Sequence, residues 1–376
     1  MSIHILSAKT ELHFGRGALA RLPNLLRSLG ATRPLVMLGQ GALRKAGHLH
    51  RVEELLAGWQ VSYHVGISSN PTLNDLAAAG AAIESARPDC VVALGGGSVI
   101  DVAKAARIIV GQGQASLENF LAGHLLPAGN FLPCIAIPTT AGTGSEFTAW
   151  ATIWRPEKGA KASLEGPSLP PQHAIVDPEL TVSVPADLTA SCGLDTFSQA
   201  VEAYWATATQ PYSQALSLRA VDLVRRSLPT AVRQPDNLEA REGVSWACTL
   251  TGLSFSQTKT TAAHAFSYPL TLRFAIRHGI ACALFIPALL VFNAEVEPPA
   301  YGPLFAAFDA GSAAEAAEKI RRFYESVGVE PRLSAHGVPR ERLEEIAQSA
   351  LASPRSLNNP RSISPAEALE LLEASF

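Results

Sequence analysis

The sequence is short of the residues that build disulfide-rich, membrane or nucleic-acid-binding proteins, and each shortage narrows its function. Its 376 residues include only five cysteines, at 90, 134, 192, 248 and 282. They are odd in number, scattered and never paired as Cys-x-x-Cys, which argues against a disulfide framework or a zinc–thiolate site and fits a reducing compartment. No apolar run is long enough to span a bilayer. The opening Met-Ser-Ile-His-Ile-Leu-Ser has neither the basic start nor the apolar centre of a secretory leader, so a cytoplasmic location is expected. An excess of one charge is also missing. A net charge of −3 gives no footprint for nucleic acid or a membrane surface. What remains is 47% hydrophobic and 17% charged, the balance of a globular enzyme long enough for two cores. No internal repeat or low-complexity tract interrupts it.

The first half alternates short apolar runs with amphipathic helices, the pattern of a parallel sheet wrapped by helices. Pro34–Leu38, Cys90–Leu94 and Pro133–Ile137 read as buried strands, with helices expected over Leu76–Arg87 and Val99–Val110. Beyond Asp177-Pro178 the reading is helical, through Ala186–Tyr204, Tyr212–Arg226, Leu238–Phe255, Ala314–Val327 and Arg340–Leu351. Ser364-Pro365-Ala366-Glu367 announces a last helix with an N-cap, a proline and a reciprocal glutamate. The expected division is an α/β domain over 1–178 and an all-α domain over 179–376.

Two loops carry nucleotide-binding chemistry. Gly95-Gly96-Gly97-Ser98 follows a strand and opens a helix, so its amides can converge on a phosphate at the positive helix end. The spacing is not Gly-x-Gly-x-x-Gly, and alone the run fits a tight strand–helix turn equally well. Thr139, Thr140, Thr143 and Ser145, beside Gly142 and Gly144, follow another apolar strand. Two such loops at the carboxyl ends of neighbouring strands define a ligand crevice and favour phosphate binding.

A second constellation points to a metal. Asp195 and Gln199 are four residues apart on a predicted helix and so share a face. His264 and His278 add imidazoles from a later segment. A carboxylate at the edge of an apolar stripe more often caps or pairs, and each histidine alone is more often ordinary. Taken together, the oxygen and nitrogen donors suit a divalent first-row cation acting as a Lewis acid beside a dinucleotide, the equipment for hydride transfer to a carbonyl carbon.

On these residues the chain resembles the iron-containing (group III) alcohol dehydrogenase family. The likeness also includes Phe14-Gly15-x-Gly17, Asn70-Pro71-Thr72, Asp101 after the glycine run, Pro138 to Glu146, His278-Gly279 and Asn359-Pro360-Arg361. It implies the dehydroquinate synthase-like fold, an α/β dinucleotide-binding domain and a helical domain with the active site in the cleft, and a homodimer. It implies that Gly96, Gly97 and Ser98 hold the pyrophosphate, that Thr139, Thr140 and Thr143 line the cofactor site, and that Lys161 approaches the ribose. Gly39, Gln40, Asn70, Asp101, Ser145 and Thr148 complete the implied cofactor set. The metal positions fall on Asp195, Gln199, His264 and His278, with iron or zinc as the expected ion.

The chain departs from that family at three places. Gln199 stands where the family usually has histidine, and Tyr268 where it usually has a second histidine four residues after the first. Gly39-Gln40 replaces a common aspartate, so NADPH is as plausible as NADH. Tyr268 or a water-linked ribose hydroxyl then handles the proton. Lys259, Thr260 and Thr261 occupy a stretch that is usually small and glycine-rich, and a lysine with flanking hydroxyls suits an anionic tail. Arg273 and Arg277 read as solvated charges. The combination resembles the phosphonoacetaldehyde reductase (hydroxyethylphosphonate dehydrogenase) branch. The expected reaction is reduction of a small anionic aldehyde. A general alcohol dehydrogenase or maleylacetate-type reductase is the nearest alternative, with a dehydroquinate-synthase-like lyase or a non-catalytic nucleotide binder beyond it.

Overall fold

The computed structural model describes residues 8–41, 46–110, 114–155, 157 and 160–376. The opening segment read above for a leader lies outside them. The chain divides between Val184 and Pro185 rather than at Asp177-Pro178. The reason is that the segment after Asp177 is bonded to the first unit. Asp177 accepts from the Gly17 and Leu19 amides at 3.2 and 3.1 Å, Glu179 pairs with Arg51 at 3.1 Å, and Ser183 meets His48 at 3.0 Å.

The first unit is built on a six-stranded parallel sheet. Its strands are β1 (Glu11–Phe14), β2 (Pro34–Gly39), β3 (Ser62–Ile67), β4 (Cys90–Gly95), β5 (Cys134–Pro138) and β8 (His173–Val176). Their order is β1-β8-β5-β4-β2-β3, and β6 (Trp150–Arg155) and β7 (Ala160–Glu165) form a separate antiparallel hairpin. The central strands are apolar at nearly every position because both faces are covered. Alternation along a strand divides them: Leu35, Met37, Val91 and Ala93 enter one core, while Val36, Leu38, Val92 and Leu94 enter the other. The first core is closed by α3 (Leu73–Ala86) and α4 (Gly97–Ile109), the second by α1 (Leu22–Ser28) and α2 (His48–Leu55). A short α5 (Gln114–Leu121) follows.

Helix α4 is buried almost throughout, including Lys104 and Arg107. Such cations are tolerated only when bonded. Lys104 donates to the carbonyls of Ser145 and Trp150 at 2.8 and 2.6 Å and to the Thr148 hydroxyl at 2.9 Å. Arg107 donates to the carbonyls of Leu132, Ser168 and Leu169 at 2.9, 2.5 and 3.0 Å. The helix thereby fixes the loop after β5 and the approach to β8.

All described elements of the second unit are helical. Helices α6 (Ala186–Trp205), α7 (Pro211–Arg233) and α8 (Leu238–Thr258) pack side by side. Gly193 lets the Leu228 side chain close on α6, since a Cβ there would meet it. Helices α9 (Ala262–Phe274), α10 (His278–Ala283), α11 (Ile286–Ala294), α12 (Gly302–Ala307), α13 (Ala313–Ser326) and α14 (Leu343–Leu351) follow. The last, α15 (Pro365–Ala374), begins at the expected Ser364–Glu367 capping box. No described helix is long and apolar enough to cross a membrane.

Candidate active site

In the first unit the chain runs β2 to β3 on one side and returns to place β4 on the other side of β2, so the strand order reverses there. Ligands of open α/β sheets bind at the carboxyl ends beside such a reversal. Gly39, Gln40 and the Gly95–Ser98 turn lie at those ends. No side chain caps the first turn of α4, whose N-cap is Gly96, so its amides remain suited to an anion. The second loop closes against the first. The Thr139 amide donates to the Gly95 carbonyl at 3.0 Å. A Cβ on Gly97 would collide with the Thr143 side chain, and one on Gly96 would come within 3.2 Å of the Thr140 hydroxyl. The Ser98 hydroxyl reaches the Ser69 carbonyl at 2.5 Å, bringing the exposed Asn70 turn to the same rim. Lys161 lies on β7 directly opposite Trp154, its ammonium 5.6 Å from the indole centroid.

Three of the expected cofactor residues are engaged within the protein itself. Asp101 accepts the Ser145 hydroxyl in a short hydrogen bond, accepts the Thr152 amide at 2.8 Å and lies 3.2 Å from Lys104. The Thr148 hydroxyl is held by Lys104 and is buried. Asp101, Ser145 and Thr148 therefore shape the loop whose Thr140 and Thr143 stand against the glycine turn. Their hydroxyl and carboxylate groups are engaged because a buried lysine demands acceptors.

The second unit brings the distant metal-type residues together. Donor atoms of Asp195, His264, His278 and Cys282 all lie within 4.8 Å of one another. Helix α6 supplies Asp195. At Gly279 a Cβ would overlap the Ser191 carbonyl and lie 2.8 Å from the Asp195 Cβ, so only glycine lets α10 approach closely enough to set His278 beside it. The His264 and His278 rings meet edge to face, with centroids 5.4 Å apart. His264 Nε2 is 3.5 Å from Asp195 Oδ1, an electrostatic contact too long for a good hydrogen bond.

Glu202, one turn beyond Gln199, is fully buried and orients this group. It bonds His264 Nδ1 closely and accepts from the Thr261 amide, the Thr261 hydroxyl and the His264 amide at 3.0, 2.9 and 3.2 Å. A carboxylate on Nδ1 places the proton there and leaves the Nε2 lone pair for a cation. Without an ion, burial opposes charge on His264 while Cys282, Glu202 and Asp195 outweigh it and raise its pKa well above the usual imidazole value, so a cation bound at Nε2 would take the place of the proton there. Burial also pushes the Cys282 thiol up.

The donor set fits a divalent cation on a test independent of resemblance. Asp195 Oδ1 and Gln199 Oε1 are both buried, and neither has a hydrogen-bond partner among the described residues. Leaving each acceptor so costs about 1–3 kcal/mol, more for the charged one, unless something positive meets it. Cys282 was missed by the sequence reading, which looked for Cys-x-x-Cys. The signal was His278-x-x-x-Cys282, one helical turn.

Lys259 follows α8 with φ 61° and ψ 179°, a backbone region open essentially to glycine alone. Its side chain is exposed, and the turn is clamped by the Asn358 amide, which donates to the carbonyls of Thr258 and Thr260 at 2.8 and 3.0 Å. Thr260 is buried. Thr261 departs from its expected substrate role: its hydroxyl donates to Glu202 and accepts from the Trp205 indole at 3.0 Å, as the start of α9 requires. Tyr268 stacks on His278, centroids 6.1 Å apart and planes 18° from parallel.

The family model for iron-containing alcohol dehydrogenase matches residues 9–178, and that for the C-terminal part of the same family matches 189–376. The chain belongs to the iron-containing alcohol dehydrogenase family. It is therefore an oxidoreductase, and the lyase and non-catalytic readings fall away. It is 32% identical to long-chain-alcohol dehydrogenase 1 of Geobacillus thermodenitrificans, covering 97% of this chain and 94% of that one. It is 29% identical to sulfoacetaldehyde reductase of Bilophila wadsworthia, covering 96% of each. Among solved structures, sulfoacetaldehyde reductase from Bifidobacterium kashiwanohense in complex with NAD+ superimposes with a TM-score of 0.93 at 30% identity, over 100% of this chain and 99% of that one.

Proposed function

We propose that this family member uses NADPH or NADH to reduce a short aldehyde with a tetrahedral oxyanion tail, phosphonoacetaldehyde to 2-hydroxyethylphosphonate being the favoured reaction. The observation that carries the reading is Lys259, a charged side chain held where glycine would relieve the backbone. Strain of that kind persists when the surroundings over-determine it, and it clusters at ligand clamps. Here Asn358 on one side and the Glu202-bound start of α9 on the other fix the turn. Sulfoacetaldehyde, the substrate for which the two related reductases are named, has the same two-carbon plan with an anionic tail. That likeness supports the class and leaves the tail atom as our proposal.

Asp195, Gln199, His264 and His278 are the residues we assign to an iron or zinc ion, with Cys282 as a neighbouring donor. Bound there, the ion supplies polarisation of a carbonyl oxygen, and the dihydronicotinamide supplies the hydride. Asp195 brings the negative charge, while Glu202 fixes the ring and tautomer of His264. Tyr268, stacked on His278, delivers the proton from its hydroxyl to the nascent alkoxide oxygen. Lys259 holds the anionic tail as a point charge, and Thr260 is the flanking hydroxyl we keep in the pocket. Gly96, Gly97, Ser98, Thr139, Thr140, Thr143, Gly39, Gln40, Asn70 and Lys161 remain our cofactor set. With no acidic side chain at Gly39–Gln40, a 2′-phosphate is not repelled.

The alternative is a general alcohol dehydrogenase, favoured by the comparable identity to a long-chain-alcohol dehydrogenase. A screen of NADPH and NADH oxidation with phosphonoacetaldehyde, sulfoacetaldehyde, succinic semialdehyde and propanal decides between them. The proposal expects the phosphonate to rank first by kcat/KM. A neutral aldehyde ranking first would remove it.

A further inference from the structure

A second group of metal-type donors lies in the first unit, at the opposite ends of the strands from the glycine loops. Glu11 opens β1 and is the register partner of His173, which opens β8. His13, two residues on, shares the Glu11 face of the same strand. These positions converge because β1 and β8 run parallel with no offset. The rings of His13 and His173 lie 5.5 Å apart and tilted by 45°, so they converge without stacking.

The donor spacings decide what the group can do. His13 Nε2 is 3.3 Å from Glu11 Oε1, His173 Nδ1 is 3.4 Å from Glu11 Oε2, and the two imidazole nitrogens are 3.4 Å apart. Ligands at about 2.0–2.2 Å from a tetrahedral ion sit about 3.3–3.6 Å from one another, so the imidazole pair matches one edge of such a tetrahedron, and the Glu11 carboxylate reaches each ring with a different oxygen, with one donor from each residue within 4.8 Å of the other two. Both imidazole side chains are 12% exposed and set by the sheet, whereas Glu11 is 64% exposed and can swing to present either oxygen. Two mostly covered imidazoles and an exposed carboxylate suit a zinc-like ion whose remaining position water can fill.

We propose that Glu11, His13 and His173 form a separate surface site for a divalent first-row cation, zinc above all, which joins the edge strand β1 to β8. The site takes no part in hydride transfer. Its ion clips the short edge strand to its neighbour and stabilises the first unit.

The test measures metal bound per chain after equilibrium dialysis of chelator-treated full-length protein against Zn2+. Wild-type protein is expected to retain one equivalent more than His173→Gln and His13→Gln, with aldehyde turnover unchanged in both variants. Zn2+ is also expected to raise the melting temperature of wild type more than that of either variant. Glu11→Gln, an exposed and structurally mild change, guards against misfolding and should weaken the extra equivalent at least about tenfold. Co2+ substitution reports the same site through its visible d–d bands, and their difference between wild type and His173→Gln should be tetrahedral in intensity. Equal stoichiometry and equal thermal response in wild type and all three variants would overturn the proposal and leave an ordinary Glu–His ion pair. Because the readout is metal content, it stands or falls apart from the substrate assignment.

Discussion

Replacing Lys259 with glycine should make the protein more stable and a worse enzyme for its own substrate. The backbone there has φ 61° and ψ 179°. Holding a non-glycine residue in such a region costs about 1–3 kcal/mol, while glycine forfeits about 0.5–1 kcal/mol through its freer unfolded chain. The net gain is about 0.5–2 kcal/mol, or a rise in melting temperature of about 1–8 °C at the scaling of large domains. Losing a charged hydrogen bond to an oxyanion removes about 1.5–3 kcal/mol, so kcat/KM for phosphonoacetaldehyde should fall about 10- to 150-fold. Propanal turnover should hardly change. Lys259→Met keeps the Cβ and its strain but discards the charge, so it should show the selectivity loss without the thermal gain. Differential scanning calorimetry and steady-state kinetics on both aldehydes read the two effects separately. A glycine variant that melts lower and loses both substrates equally would refute the reasoning.

Other consequences follow from the same geometry. Glu202→Gln should weaken metal retention about 10- to 100-fold, because the second carboxylate fixes His264, and chelator competition measures it. Gln199→His should tighten metal binding at least about tenfold, the effect of one ligand improved by about 1.4 kcal/mol; an unchanged affinity would place Gln199 outside the ligand set. Tyr268→Phe should lower kcat about 10²- to 10⁴-fold with KM little altered, as loss of a general acid requires, and a solvent isotope effect should change with it. Burial pushes the Glu146 carboxyl from 4.5 to about 7. Since the folded state then holds a proton that the unfolded chain releases, stability should be fullest below pH 4.5 for this group. It should decline as pH rises through about 7, by on the order of 3 kcal/mol. Denaturant titrations of wild type and Glu146→Gln across that window would expose the term, which the variant should lack.

Much of the fold could be read from sequence where one local rule decided the outcome. Strands such as Cys90–Gly95 are apolar throughout because both faces are covered, and Ser364 with Glu367 closes its capping box without help from distant residues. Asp195 and Gln199 shared a face by helical period alone. What escaped needed partners far along the chain. Glu202 looks like any helical glutamate until Thr261 and His264 arrive on another helix. Asp101 entered the cofactor set through the family resemblance, and its donors, the Ser145 hydroxyl and the Thr152 amide, lie on the loop after β5 and on β6, which the sequence does not visibly bring to it. Thr261 was misjudged for the same reason. The division near Val184 escaped because Asp177 reads as an end when it is an anchor for Gly17 and Leu19.

Turnover is predicted to require one cation held by Asp195, Gln199, His264 and His278. Titrating Fe2+ or Zn2+ into chelator-treated protein while following NADPH or NADH oxidation by the aldehyde tests this most directly. Turnover should start near zero, rise with added metal to a plateau in wild type, and stay near zero in Asp195→Asn. Full activity before metal is added, or an Asp195→Asn response matching wild type, would contradict it.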